Sequence, residues 1–312
     1  EKTDGTLTTG QVILSCSKGE VSACEVSFSD IKNEGPLVKR LFLEALKREA
    51  DKQFIDALDK RILITKLPER AQVTSSRIVF TAKLHVDGSL KRAKARWVTR
   101  GYEFFTEERL DAPTLHGLTL NSLFLAFVVY DFSPKTVDFS NAFLQGDEFE
   151  EPRYVSWPRF GQFKSDAAEL NKAMSFSSTH VLITTKPIYG FSDAPRRWYK
   201  TLTGYMLEIG FIESPVDPTL FYYVAGATKK KNLAKLERVA ASDVLDDNIT
   251  SGVEAHYDAP TGTVIGMVGI HVDDLLYGGN ATFLSEVMNG KLLKRFQHSK
   301  VQEVCDGDVY CG

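Results

Sequence analysis

The stretch Val264-Ile-Gly-Met-Val-Gly-Ile-His-Val-Asp-Asp-Leu-Leu-Tyr277 sets two adjacent carboxylates inside an otherwise apolar run. Burying an unpaired carboxylate costs roughly several kcal/mol, so Asp273 and Asp274 need cations, hydrogen-bond donors or a metal nearby. Residues 263–272 and 275–278 read as two strands of a hairpin with Asp273–Asp274 at its tip. On its own the pair has two readings, a turn that tolerates Asp or a metal site.

A second acid bears on that choice. In Thr136-Val-Asp-Phe-Ser-Asn-Ala-Phe143, Asp138 ends a short apolar strand and precedes a turn into a helix. Such an Asp is either a helix cap or a metal ligand. Mg2+ takes hard oxygen donors, usually one or two carboxylates completed by substrate phosphates and water.

Outward from these acids the chain alternates helices and hairpins. Residues 37–62 carry Val38, Phe42, Leu46, Phe54, Ile55 and Leu58 at near-helical spacing. Residues 77–86 and 90–99 read as two strands joined at Asp87–Gly88, a strong hairpin signal. Leu120, Leu123, Phe124, Phe127 and Val128 form a helical stripe that Ser133–Pro134 ends, before a short strand over 136–139. Asp193 and Pro195 open a helix with Trp198, Leu202, Tyr205, Met206 and Ile209 on one face. Residues 220–224 are strand-like. Residues 1–35 read as a polar leader or linker, and 225–262 as a surface insertion. The pattern is α+β.

Composition narrows the function. The chain has 312 residues, 43% hydrophobic and 25% charged, and its longest apolar runs are too short to span a bilayer. It starts at Glu1 without a signal peptide, which is the pattern expected of an intracellular piece of a longer protein. Cys16, Cys24, Cys305 and Cys311 fit neither a zinc knuckle nor a redox pair, and read as reduced thiols. A net charge of −3 argues against nucleic-acid binding by bulk charge. Basic residues are nevertheless clustered, with Lys83, Lys91, Arg92, Lys94, Arg96 and Arg100 between 83 and 101 against the single acid Asp87. Contact with a polyanion must therefore be local.

Six segments then occur in a recognisable order. They are Asp87-Gly-Ser-Leu-Lys-Arg-Ala-Lys-Ala-Arg-Trp-Val-Thr-Arg-Gly101, Asp111-Ala-Pro113, Val137-Asp-Phe-Ser-Asn-Ala-Phe-Leu-Gln-Gly146, Tyr189-Gly-Phe-Ser-Asp-Ala-Pro-Arg-Arg-Trp-Tyr199, Asp217-Pro-Thr-Leu-Phe221 and His271-Val-Asp-Asp-Leu-Leu276. Over roughly residues 37–312 the chain resembles the reverse transcriptase domain of copia-type (Pseudoviridae-like) retrotransposons. The resemblance implies a fingers–palm polymerase fold over 36–312, with an antiparallel palm sheet flanked by helices and a thumb largely absent.

It also implies template-directed DNA synthesis on an RNA or DNA template with a primer, from deoxynucleoside triphosphates, by part of a retroelement polyprotein with no membrane contact. Asp138 and Asp273 would be the principal ligands of two Mg2+ ions (Mn2+ being the alternative), and Asp274 a supporting carboxylate. Such ions ready the primer hydroxyl and stabilise the leaving pyrophosphate. Lys94, Arg96, Asn141, Ala142, Phe143 and Gly190 would contact the nucleotide, with Phe143 excluding a 2′-hydroxyl. Tyr189, Arg196 and His271 would lie along primer or template, His271 standing where the family usually has Tyr. Other readings of the same residues are a core phenylalanine at 143, a solvated basic hairpin face, and Trp198 and Tyr199 as core. The expected location is cytoplasmic, in a virus-like particle, or nuclear. Two further function classes remain in view: a silent element remnant that binds nucleic acid or acts structurally, and another palm-fold nucleotidyltransferase or cyclase.

Overall fold

The computed structural model describes residues 23–27, 30–31, 34–58, 60–85, 90–106, 110–158, 177–226 and 262–304. The Asp87–Gly88 turn, nearly all of the 225–262 insertion, and Cys16, Cys305 and Cys311 lie outside these residues. In chain order the elements are β1 (Ala23–Val26), α1 (Pro36–Asp56), β2 (Lys60–Leu63), β3 (Val73–Thr74), β4 (Ser76–Leu84), β5 (Leu90–Thr99), α2 (Gly117–Val129) and β6 (Lys135–Asp138). There follow β7 (Arg153–Val155), β8 (His180–Thr184), α3 (Ala194–Glu208), β9 (Ile212–Glu213), β10 (Leu220–Val224), β11 (Val264–His271), β12 (Asp274–Gly279) and β13 (Gln302–Glu303). Helix and mostly antiparallel sheet are mixed, compatible with the α+β expectation. No helix among the described residues is long and apolar enough to cross a membrane. The chain divides into two compact units, residues 1–106 with 148–192 and residues 107–147 with 193–312.

In the first unit β4 and β5 pair from Ser76↔Thr99 to Leu84↔Leu90, close to the predicted hairpin. Alternation sends Phe80, Ala82, Ala93, Ala95 and Trp97 to one buried face. Helix α1 covers that face, where Phe42 meets Phe80 edge-on at 5.8 Å and Glu49 accepts the Trp97 backbone N–H at 3.1 Å. The opposite face presents Arg77, Lys83, Arg92, Lys94 and Arg96. Strand β1 lies at the edge of this sheet with Cys24 and Val26 inward, inside the stretch read as a polar leader; four residues are too few to show a period.

A second sheet, ordered β2-β8-β7-β3, was not anticipated. Its strand β2 falls where the α1 periodicity was expected to run on to residue 62. The helix stops at Asp56, and Lys60–Leu63 instead pairs with β8, the ladder overriding local pattern. Residues 189–190 dock on the end of β5, with Thr99 N–H donating to the Tyr189 carbonyl at 2.8 Å and Gly101 N–H to the Gly190 carbonyl at 2.9 Å. Gly190 has φ 98°, and a Cβ there would overlap the Thr99 carbonyl oxygen; a Cβ on Gly101 would overlap that of Gly190. Both glycines are thus required by close backbone approach.

The second unit is built on an antiparallel six-stranded sheet ordered β13-β6-β12-β11-β10-β9. One face packs Val137, Phe139, Val268, Ile270, Leu275 and Tyr277 against Trp198, Leu202 and Met206 of α3 and the segment from Phe283 to Phe296. Burying Leu202 and Met206 there contributes about 1.5–3 kcal/mol each. The other face packs Leu276 under Leu123 and Phe127 of α2. Val128, assigned to the same stripe from the sequence, is instead 79% exposed. The segment Phe283–Leu292 is wound as a π-helix and returns the chain to β13 at the β6 edge.

Gly190→Ala is expected to lower stability by about 1–3 kcal/mol, because it combines an unfavourable φ with a backbone clash. Thermal unfolding checks this, and an unchanged midpoint would refute the close docking of 189–190 on β5.

Candidate active site

The β11–β12 connection is a two-residue turn. His271 pairs with Asp274, leaving Val272 and Asp273 as its central residues, so Asp274 is already on the strand and not at the tip. Val272 has φ 56° whereas Asp273 does not have positive φ. That sign pattern is the one of a type II′ turn, whose first central position favours Gly. A β-branched residue there is an outlier. Trp198 Nε1–H donates to the Val272 carbonyl at 2.9 Å, and the Phe139 N–H donates to the Asp273 carbonyl at 2.8 Å.

Strand β6 lies on the other side of β12, with Asp138 directly opposite Asp274. The neighbouring positions, Phe139 and Asp273, carry the ladder hydrogen bond, which makes Asp138 and Asp274 a non-hydrogen-bonded pair whose side chains stand closer. Residues directly opposite share a face. Asp138, Asp274 and His271 therefore form one row across β6, β12 and β11, on the face that α2 covers farther along. Asp138 is exposed, and Asp274 and His271 are partly buried.

Backbone bonds fix Asp138 from its far side. Its N–H donates to Ser299 Oγ at 3.2 Å, and its carbonyl accepts the Ser299 N–H at 2.8 Å. Just beyond, Asn141 sits at φ 56°, a left-handed position that Asn tolerates, and Ala142–Gln145 follows as one 3-10 turn. Ala142 is buried, and Phe143 is partly buried against the α3-side core. Gln145 clamps this loop: its Nε2 donates to the Ser140 and Gln297 carbonyls, at 2.8 and 2.9 Å, and its Oε1 accepts the Gln297 N–H at 2.7 Å. Ser299, Gln145 and Gln297 were missed in the sequence. Their roles depend on 297–299 returning beside β6, and no local pattern announces that.

Burial, then the Asp273 and Asp138 carboxylates, push the Asp274 carboxyl up to about 6, with His271 pulling the other way. Among the described residues no three His, Cys, Asp or Glu side chains are gathered as a ready metal cage. The structure thus brings Asp138, Asp273, Asp274 and His271 to one end of one sheet without closing them on a point.

Of the other predicted site residues, Arg196 is in this unit, is nine-tenths buried, and donates from Nη1 to the Asp111 carbonyl at 3.2 Å, which ties the Asp111–Pro113 segment to α3. Trp198 is fully buried, the core reading. Asp217 is held below the usual carboxylate range: burial raises it, but hydrogen bonds from Thr119 and Thr219 outweigh that. Lys94, Arg96, Tyr189 and Gly190 belong to the first unit. Burial foremost, then Arg96, Lys83 and Arg92, lowers the Lys94 pKa. The Arg96 guanidinium stands 5.8 Å from the Tyr189 ring centroid.

The sequence profile described as reverse transcriptase (RNA-dependent DNA polymerase) matches residues 60–237, and the chain belongs to that family of nucleotidyltransferases. The match takes in Lys94, Arg96, Asp138, Phe143, Gly190 and Arg196, and ends before His271. Among curated proteins the chain is similar to the Retrovirus-related Pol polyprotein from transposon RE2 of Arabidopsis thaliana, 32% identical over 169 residues that cover 53% of this chain and 11% of that protein. It is likewise similar to the transposon RE1 polyprotein of Arabidopsis thaliana, 31% identical over 169 residues (53% and 11%), and the transposon TNT 1-94 polyprotein of Nicotiana tabacum, 24% identical over 165 residues (51% and 11%). The chain spans only 11% of the length of each. These relatives bear out the retrotransposon resemblance.

A raised Asp274 pKa means that the folded chain binds more protons than the unfolded chain between the ordinary Asp value and about 6. Without divalent cations, this group's contribution should therefore fall as pH rises through that window and be lost above it. In EDTA, Asp274→Asn should raise the thermal midpoint at pH 7.5 and leave it unchanged near pH 4. An equal shift at both values would show that the carboxylate cluster is not the cause.

Proposed function

We propose that this chain is the RNA-directed DNA polymerase domain of a retrotransposon polyprotein, adding deoxynucleotides to a primer 3′-hydroxyl on an RNA or DNA template. The observation that carries the proposal is the cross-strand row Asp138–Asp274–His271 with Asp273 on the adjoining turn. Family membership supplies the reaction class.

The donor set fits Mg2+. It consists of hard carboxylate oxygens, and Asp274, raised first by burial and then by the Asp273 and Asp138 carboxylates, is a group that a cation would relieve. Mg2+ needs only one or two protein carboxylates beside phosphate oxygens and water, so an open row suits it better than a closed cage. Asp138 and Asp273 would be its principal holders, with Asp274 in support. When bound, it would supply charge neutralisation for the attacking hydroxyl, the α-phosphate and the leaving pyrophosphate.

The chain's own groups do the positioning. Paired strands hold the Asp138 and Asp274 carboxylates on one face, and the Gln145 clamp holds the loop bearing Asn141–Phe143 next to Asp138. Phe143 would lie under the incoming sugar and exclude a 2′-hydroxyl. In this reading the second unit is the palm, and the basic face of β4 and β5 belongs to the fingers, where Lys94 and Arg96 would meet the triphosphate. Tyr189, Arg196 and His271 would lie along the primer or template.

A second reading is a catalytically silent remnant that binds nucleic acid or acts structurally. Primer extension on poly-rA with Mg2+ or Mn2+ separates the two, since a remnant would retain primer–template without extending it.

Asp273→Asn should abolish Mg2+-dependent extension while leaving the thermal midpoint near that of the parent chain; undiminished extension would remove Asp273 from the site. Phe143→Val should admit ribonucleotides in the same assay. If the variant still rejects them strictly, Phe143 is a core residue only.

A further inference from the structure

We propose that Trp198 is a positioning residue for the carboxylates, acting through the Val272–Asp273 peptide; the inference rests on the polymerase reading above. Val272 occupies φ 56° in the turn between β11 and β12. A β-branched side chain is crowded there, and such a conformation persists only where its surroundings over-determine it. Among the described hydrogen bonds to this turn, the one from Trp198 Nε1–H to the Val272 carbonyl, at 2.9 Å, is made by a side chain. The Phe139 N–H on Asp273 is a backbone bond, which almost any residue at 139 would make.

The indole has no freedom to aim elsewhere. It is fully buried, with ring contacts to Phe139 at 5.3 Å and Phe296 at 5.2 Å. The Val272 carbonyl and the Asp273 N–H belong to one planar unit, so holding the oxygen sets where Asp273 starts. Phe139 follows Asp138 directly. One side chain therefore packs against the strand that carries Asp138 and grips the turn that carries Asp273. Packing alone would be served by any large apolar residue; the N–H is spent on the strained peptide.

The test compares Trp198→Phe and Trp198→benzothienylalanine, the second keeping the bicyclic shape without the N–H, each with and without Val272→Gly. Glycine adopts positive φ freely, so it should make the indole bond dispensable. Both Trp198 variants should fold, by circular dichroism and thermal melting. Their kcat in primer extension should fall about 10- to 100-fold, in line with small misplacements of reacting groups. The deoxynucleotide KM should stay within about threefold. Adding Val272→Gly should recover most of the lost kcat.

A role in packing alone predicts instead a lowered thermal midpoint with no recovery by Val272→Gly, and that result overturns the proposal. So does unchanged kcat in the benzothienylalanine protein. A second readout needs no activity: with nitrogen-15 labelling, the parent Trp198 indole N–H should be protected from exchange, and the Asp273 and Asp274 amide signals should shift in Trp198→Phe and return with Val272→Gly. If the parent chain extends no primer, the polymerase reading fails alone, and the amide signals decide the Trp198 proposal by themselves.

Discussion

The pairing of β6 with β12 sets everything at the acidic end of the second unit. In that register Val137 and Phe139 face the α3 core while Asp138 faces the other side, opposite Asp274. A slip of one residue would turn Asp138 into the core and bring Val137 and Phe139 out, because strand side chains alternate strictly. Leu275 and Tyr277 toward α3 and Leu276 toward α2 resist the same slip on the partner strand. The register is therefore held by apolar packing on two faces, and the carboxylates come together as its consequence.

That consequence is unfavourable locally. Like charges face one another, the Asp274 carboxyl is held up to about 6, and Val272 sits where glycine is preferred. Departures from local rules are expected to collect at functional sites and to be offset by packing elsewhere. Here the offset is close at hand: Trp198, Phe139 and Phe296 form a buried aromatic cluster directly beneath the turn. Strain, charge and a buried aromatic cluster occupy neighbouring residues.

The legible parts of this protein were those with a period or a short-range signal. The 77–86 and 90–99 strands, the 193–209 helix and the 263–278 hairpin were readable because alternation or helical spacing persists through them. Residues 60–62 were read as the end of the helical stretch 37–62, and only the partner β8 makes them extended. The tip of the β11–β12 hairpin was displaced by one residue, since a positive-φ Val carries no turn signal. Ser299, Gln145 and Gln297 left no trace, as the Ser299–Asp138 and Gln145–Gln297 bonds join positions more than 150 residues apart and need the chain to come back beside β6. Motif order identified the family; it left the pairing of Asp138 with Asp274, and not with Asp273, to the structure.

The first unit follows the same logic with the opposite charge. Phe80, Ala82, Ala93, Ala95 and Trp97 point into the α1 interface, so the alternate positions must point out, among them Arg77, Lys83, Arg92, Lys94 and Arg96. Burial first, and then the cations crowded on the same face, hold the Lys94 pKa below that of an ordinary lysine. The whole chain nevertheless carries −3. A bulk polyelectrolyte attraction cannot come from such a balance, but a polyanion with charges spaced to meet a single sheet face can still be held. In both units an apolar alternation on one side of a sheet fixes which charges collect on the other, so the core-forming residues also determine where charge gathers.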